Sequence, residues 1–155
     1  VMLKADESAQ KDPEALLGNP KACDQLESWD TIYFENFCGT VEYAISVSIP
    51  SLPTKAVLDL GVVGVVADVI VNENPVGKRL WAPYTIDVTS ALVAGANTIR
   101  VVVTSTLHRL MTMPEIAGDM KQRGWLNSYA QQVSAFKGDP APAGLLGPVK
   151  LLTWA

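Results

Sequence analysis

The sequence predicts an all-β fold, a jelly-roll-like sandwich of two antiparallel sheets. Three observations carry this expectation. Apolar residues recur at every second position in several short segments, the period that sends one face of a strand to a core and the other to solvent. Turn-forming residues separate these segments at roughly the 8–12-residue interval of sandwiches and barrels. The chain has 155 residues, of which 48% are hydrophobic and 18% charged. That is a globular balance, and a domain this long buries roughly 68–70% of its unfolded surface without a metal or disulfide staple.

In chain order, residues 1–25 read as an N-terminal arm. The stretch is polar and is broken by Pro13 and Gly18-Asn19-Pro20, with one helical turn expected over Pro13 to Leu17. Residues 26–155 read as a single β-sandwich domain. Tyr43, Ile45, Val47 and Ile49 alternate with Ala44, Ser46 and Ser48, and Ser51-Leu52-Pro53 ends that strand. Ala56, Leu58 and Leu60 form the next, closed by Gly61, and Ala67, Val69 and Val71 another. Asn72-Glu73-Asn74-Pro75 has turn composition and leads to Val76-Gly77. Tyr84, Ile86 and Val88 follow. Gly95-Ala96-Asn97 then turns the chain into Ile99, Val101 and Val103, with Asn97 starting that strand, and Val149 to Trp154 closes the series. Periodicity fades over 111–143. A short helical excursion is expected there, with one helix opening at Pro114-Glu115-Ile116 and another within Trp125 to Phe136.

Composition excludes several functions. Lys and Arg number 12 against 16 Asp and Glu, a net charge of −4. No basic block tracks a phosphate backbone, so nucleic acid is not an expected partner. The longest apolar region, Ala56 to Val71, carries Asp59 and Asp68 and is short for a membrane span. No nucleotide-binding glycine motif occurs; Gly77-Lys78-Arg79 lacks the leading glycine and the hydroxyl of a phosphate loop. His108 is the one histidine, and its expected role is an ordinary hydrogen-bonded side chain. Cys23 and Cys38 allow one disulfide or two buried free thiols.

The middle of the chain resembles the galactose-binding-like β-sandwich domain of large glycoside hydrolases. The nearest likeness is to the C-terminal part of family 106 α-L-rhamnosidases and the sugar-binding domain of family 2 enzymes. It is carried, in order, by Phe37-Cys38-Gly39 with Tyr43, Leu58-Asp59-Leu60-Gly61 and Ala67-Asp68-Val69-Ile70-Val71-Asn72. Val76-Gly77, Trp81-Ala82-Pro83-Tyr84, Asp87-Val88-Thr89, Leu92 and Gly95-Ala96-Asn97-Thr98-Ile99 follow, then Val101, Val103 and Gly144-Leu145-Leu146-Gly147-Pro148-Val149. One departure stands out, because Asn72-Glu73-Asn74-Pro75 stands where the family usually has an Asn-Gly hairpin turn. Trp81 and Tyr84, flanking Pro83, are expected to fill one end of the sandwich, and Trp29 and Trp154 to pack near the chain ends.

The resemblance implies a non-catalytic accessory module of a glycoside hydrolase, with a catalytic domain as partner and an extracellular or periplasmic setting. Rhamnose-containing or pectic glycans are the saccharides it suggests. Stacking a pyranose needs an aromatic ring beside groups that bond hydroxyls, and Arg123, Trp125, Asn127 and Tyr129 are the densest such cluster. The same Trp125 and Tyr129 also fit one core-facing helix stripe. Asn72, Asn74, Lys78 and Arg79 make a second candidate rim. Asp59, Asp68 and Asp87 fall on the polar phase of strands, a solvated face, and Glu115 and Asp119, four apart, suit a solvated helix better than paired catalysis. A structural calcium is a candidate through Asp24, Asp30 and Glu35, although no D-x-D-x-D-G loop is present. An alternative role is bracing a larger enzyme without sugar contact. An exposed apolar patch on one sheet favours bracing, and an exposed aromatic ringed by polar groups favours binding.

Overall fold

The computed structural model describes residues 2–5, 21–23, 25–32, 37–107 and 142–155. The strands are β1 (Met2–Ala5), β2 (Lys21–Ala22), β3 (Thr40–Ile49), β4 (Lys55–Asp59), β5 (Val62–Val63) and β6 (Val66–Val71). β7 (Asn74–Arg79), β8 (Thr85–Asp87), β9 (Gly95–Thr104), β10 (Leu145–Gly147) and β11 (Lys150–Trp154) complete them. One helical turn, α1 (Trp29–Ile32), precedes β3. The fold is the expected all-β sandwich. One layer has strand order β2-β1-β3-β9-β6-β7, and the other holds β11-β4-β8 with the short pair β10-β5. Residues Met2–Ala5 of the N-terminal stretch pair antiparallel with β3, from Met2 opposite Ala44 to Ala5 opposite Val41. The helical turn expected over Pro13 to Leu17 and the excursion over 111–141 lie outside the described residues, as does His108. Among the described residues no helix is long and apolar enough to cross a membrane.

The period-two reading locates the core. Along β3 and β9, which pair over their full lengths, Val41, Tyr43, Ile99, Val101 and Val103 face inward and are buried. Ala67, Val69 and Val71 of β6 join them. The second layer answers with Ala56, Leu58, Leu60, Ile86 and Val88. Each Val, Leu or Ile among them contributes about 1.5–3 kcal/mol on burial.

A third group closes one end. Trp29 is fully buried and its ring meets Phe37 edge-on at 5.2 Å. Its Nε1–H donates to the Tyr43 hydroxyl at 2.7 Å, and the Leu145 N–H donates to the same oxygen at 3.0 Å. Gly144, at φ +110°, permits this crowding, since a Cβ there would stand 2.5 Å from Trp29 Nε1.

Two tryptophan expectations are corrected. Trp81 does not fill the end of the sandwich, for its side chain is 72% exposed. Its neighbour Tyr84 does pack on the core, and its hydroxyl donates to the Val65 carbonyl at 2.6 Å. Trp154 is not a buried packing residue either. It lies 48% exposed on the outer phase of β11, because Leu151, two strands from Ile86 in the same row, takes the inward phase.

Candidate functional site

The hairpin joining β6 and β7 carries the predicted rim. Val71 pairs with Asn74 across a two-residue turn in which Asn72 and Glu73 both have positive φ, +50° and +64°. That is the backbone signature of the hairpin turn that Asn-Gly usually makes, so the turn keeps its tight form with a glutamate in the glycine position. β7 is a sheet edge, which explains how Pro75 is tolerated: the register shift between Val69 and Ile70 leaves Val76 as an extra residue.

Asn72 is drawn inward. Its Nδ2 donates to the Ala91 carbonyl at 3.0 Å and to Asn97 Oδ1 at 2.8 Å, and its Oδ1 accepts from the Thr98 N–H at 2.9 Å. Both amide hydrogens are thus committed within the fold. Asn74 is exposed, and among the described residues its side chain bonds only the Asn72 carbonyl, at 3.0 Å. Arg79 sits at the opposite end of β7, opposite Ala67, where its Nε donates to the Thr85 carbonyl at 2.8 Å. Lys78 reaches Asp68 at 3.2 Å. The hairpin therefore holds Asn74 and Arg79 at opposite ends of β7, facing Val71 and Ala67, about 13 Å apart along the strand. Arg123, Trp125, Asn127 and Tyr129 lie outside the described residues, as do Glu115 and Asp119.

The strand carboxylates have local duties. Asp59 Oδ1 accepts the N–H of Gly61 at 2.9 Å. Asp87 Oδ1 accepts from the Thr89 hydroxyl at 2.6 Å and the Thr89 N–H at 2.9 Å, and these bonds hold its carboxyl below the usual carboxylate range. On the outer face of the large sheet, Arg100 reaches Glu73 at 2.6 Å and Glu42 at 3.5 Å, while its Nε is buried without a partner among the described residues.

Cys23 and Cys38 are free thiols, not a disulfide; the Cys23 thiol donates to the Gln25 carbonyl at 2.7 Å and burial pushes the Cys38 thiol up. Among the described residues no three His, Cys, Asp or Glu side chains converge on a metal position. The candidate calcium ligands Asp24 and Glu35, and the side chain of Asp30, lie outside them.

Two features were missed in the sequence. The first is a cleft of about 150 Å³ between the layers, lined by Ile45, Val47, Leu58, Ile99, Leu145 and Leu151. These six side chains are all aliphatic. Sugar hydroxyls entering it would go unpaired, so the cleft suits apolar groups. The second is the outer face of the small sheet. There Lys55, Val57 and Asp59 of β4 stand opposite Trp154, Leu152 and Lys150 of β11, and Asp87 and Thr85 of β8 flank Val57 and Asp59. The Lys55 ammonium lies 5.7 Å from the centre of the Trp154 ring. A period of two counted through Lys150 to Trp154 contained the signal, since the phase opposite Leu151 holds Leu152 and Trp154.

No known protein-family profile matches the chain. A Formosa agariphila protein named "Putative beta-glucuronidase" is 32% identical over 155 aligned positions, which take in 83% of this chain and 13% of that protein. Among solved structures, a rhamnosidase from Novosphingobium sp. PP1Y superimposes with TM-score 0.70 at 23% identity, over 97% of this chain and 14% of that one. A Ruminococcus gnavus β-glucuronidase does so with TM-score 0.56 at 16% identity, over 67% of this chain and 20% of the other. The chain spans about an eighth of the curated relative it matches, and it shares the fold of a minor portion of these glycoside hydrolases.

Proposed function

We propose that this chain is a non-catalytic accessory β-sandwich domain of a larger glycoside hydrolase, in contact with saccharide through exposed aromatic side chains. One observation carries the accessory reading. The same sandwich recurs as 14% of an enzyme named for rhamnose and 20% of one named for glucuronic acid. A fold shared by enzymes of such different sugars is a poor candidate for the part that selects and cleaves the sugar. The saccharide contact is supported by Trp81 and Trp154, indoles 72% and 48% exposed. Rhamnose-containing or pectic glycans and an extracytoplasmic setting belong to this reading as proposals, as do Arg123, Trp125, Asn127, Tyr129, Asn74 and Arg79 as contacts.

A second reading, bracing without sugar contact, is favoured by the apolar cleft, whose mouth at Ile45 and Val149 is 44% and 36% exposed.

The test has two arms. The isolated chain is assayed for hydrolysis of aryl rhamnosides and aryl glucuronides, with no turnover expected; turnover abolished by a carboxylate substitution overturns the accessory reading. Titration calorimetry against rhamnose and rhamnogalacturonan fragments, with and without calcium, then separates the roles. Saturable heat supports saccharide contact, its loss in Trp125→Ala assigns it to that cluster, and no heat from a folded sample leaves bracing.

A further inference from the structure

We infer that the outer face of the β11–β4–β8 sheet is an oligosaccharide platform, with Trp154 as the stacking ring. The inference rests on the saccharide-contact reading above and gives it a location. The register sets out the face as adjacent rows: Trp154 beside Lys55, then Leu152, Val57 and Asp87, then Lys150, Asp59 and Thr85. Neighbouring strands lie about 4.8 Å apart, and same-face residues along a strand about 6.6 Å apart. The face is therefore about 10 Å by 13 Å, the footprint of two to three pyranose units.

Its chemistry fits a neutral sugar. A pyranose offers an apolar face of C–H groups ringed by hydroxyls, and this surface repeats that pattern. Trp154, Leu152 and Val57 supply the apolar strip, and donors and acceptors border it. Lys55 and Lys150 balance Asp59 and Asp87, so the face carries no net charge to demand an anion or a cation. Asp87 keeps Oδ1 on Thr89, which fixes its carboxylate at the border with Oδ2 free of any bond within the described residues. The Lys55 ammonium stands over one side of the indole, so a sugar stacks on the other side or displaces it and takes it as a hydroxyl partner. The sheet's register sets the spacing of these rows before the ligand arrives.

The experiment is an NMR and calorimetric titration of the whole chain with rhamnose, a rhamnogalacturonan fragment and a neutral hexose trisaccharide. The expected result is a saturable shift of the Trp154 indole N–H signal, and a loss of at least about tenfold in affinity for Trp154→Ala. Asp87→Asn also weakens binding, whereas Ser46→Ala, exposed on the large sheet, leaves it unchanged. Trp154 is exposed near the chain end, and an unchanged circular dichroism melt verifies that its variant is folded. Saccharide binding that survives Trp154→Ala overturns the platform while sparing the saccharide-contact reading. Absence of binding to every probe overturns both, and a Trp154 signal that responds only to protein concentration overturns the platform.

Discussion

Asn72 Nδ2 donates to Asn97 Oδ1 at 2.8 Å, tying the β6–β7 turn to the start of β9. Among the described residues Asn97 is the one polar side chain of the buried core, 1% exposed, and every valence of its amide is used. Oδ1 also accepts the Val93 N–H, and Nδ2 donates to the Val93 and Gly95 carbonyls. Two side chains thereby replace water for the backbone of three loops. Such a network stabilises only when complete.

Replacing Asn97 breaks it at the centre. Asn97→Ala strands the Asn72 amide, the Val93 N–H and two carbonyls, for an expected loss of about 3 kcal/mol in urea denaturation. Asn97→Asp removes both donors and aims a carboxylate at two carbonyls. Burial raises that carboxyl, so the variant's stability is fullest at acid pH and is lost as pH rises through the raised value. Measured stability of Asn97→Asp relative to the parent should therefore be better at pH 4 than at pH 7.

Glu73 holds a left-handed φ of +64° that glycine adopts without cost, yet it pairs with Arg100 at 2.6 Å. Glycine relieves the backbone and forfeits the ion pair. Because Glu73 is largely exposed, the pair is screened as salt shortens the Debye length from about 30 Å at 0.01 M to about 3 Å at 1 M. Glu73→Gly is expected to gain on the parent by about 0.5 kcal/mol between those salt concentrations. An unchanged difference would mean the ion pair contributes nothing.

Much of this fold was legible because its strands are half-buried and alternate strictly. Tyr43, Val101 and Val69 fall in one row just as the period predicts. Asn97 was legible in principle, standing in phase with Ile99, Val101 and Val103, but a Gly-Ala-Asn string reads as a turn before it reads as a strand. Trp81 and Trp154 were misplaced because an aromatic residue advertises burial, while only packing decides which indole finds a partner; Trp29 found Phe37 and Tyr43. Pairing of Met2–Ala5 with β3 left no sign, since four residues carry too little pattern to outweigh the polar stretch behind them. The apolar cleft arises where facing side chains fall short of each other, which no single-strand pattern records.

Tyr43 makes a pH prediction. Burial pushes its phenol above the ordinary value of about 10, partly offset by the bonds it accepts from Leu145 and Trp29. A group raised in the folded state contributes fully below its unfolded pKa and loses that contribution as pH climbs through the folded value. Tyr43→Phe leaves two buried donors unpaired and should cost about 3 kcal/mol at pH 7. The gap between the parent and Tyr43→Phe should narrow in denaturation curves taken from pH 9 to pH 11. A constant gap would show that Tyr43 is not raised.

Gly144 tests how tightly the closed end is built. At φ +110° an alanine is strained before any contact is made, and its Cβ would stand 2.5 Å from Trp29 Nε1 and 2.8 Å from the Tyr43 hydroxyl. Those two atoms share a hydrogen bond, and neither side chain can swing away without losing it. Backbone strain of about 1–3 kcal/mol then adds to about 1–3 kcal/mol of overpacking. Gly95 supplies the control, because it has a similar φ of +94° but open space at its Cβ position. Gly95→Ala should show the backbone cost alone. A melting temperature lowered further in Gly144→Ala than in Gly95→Ala is the expected outcome, and equal values would mean that the Trp29–Tyr43 corner yields.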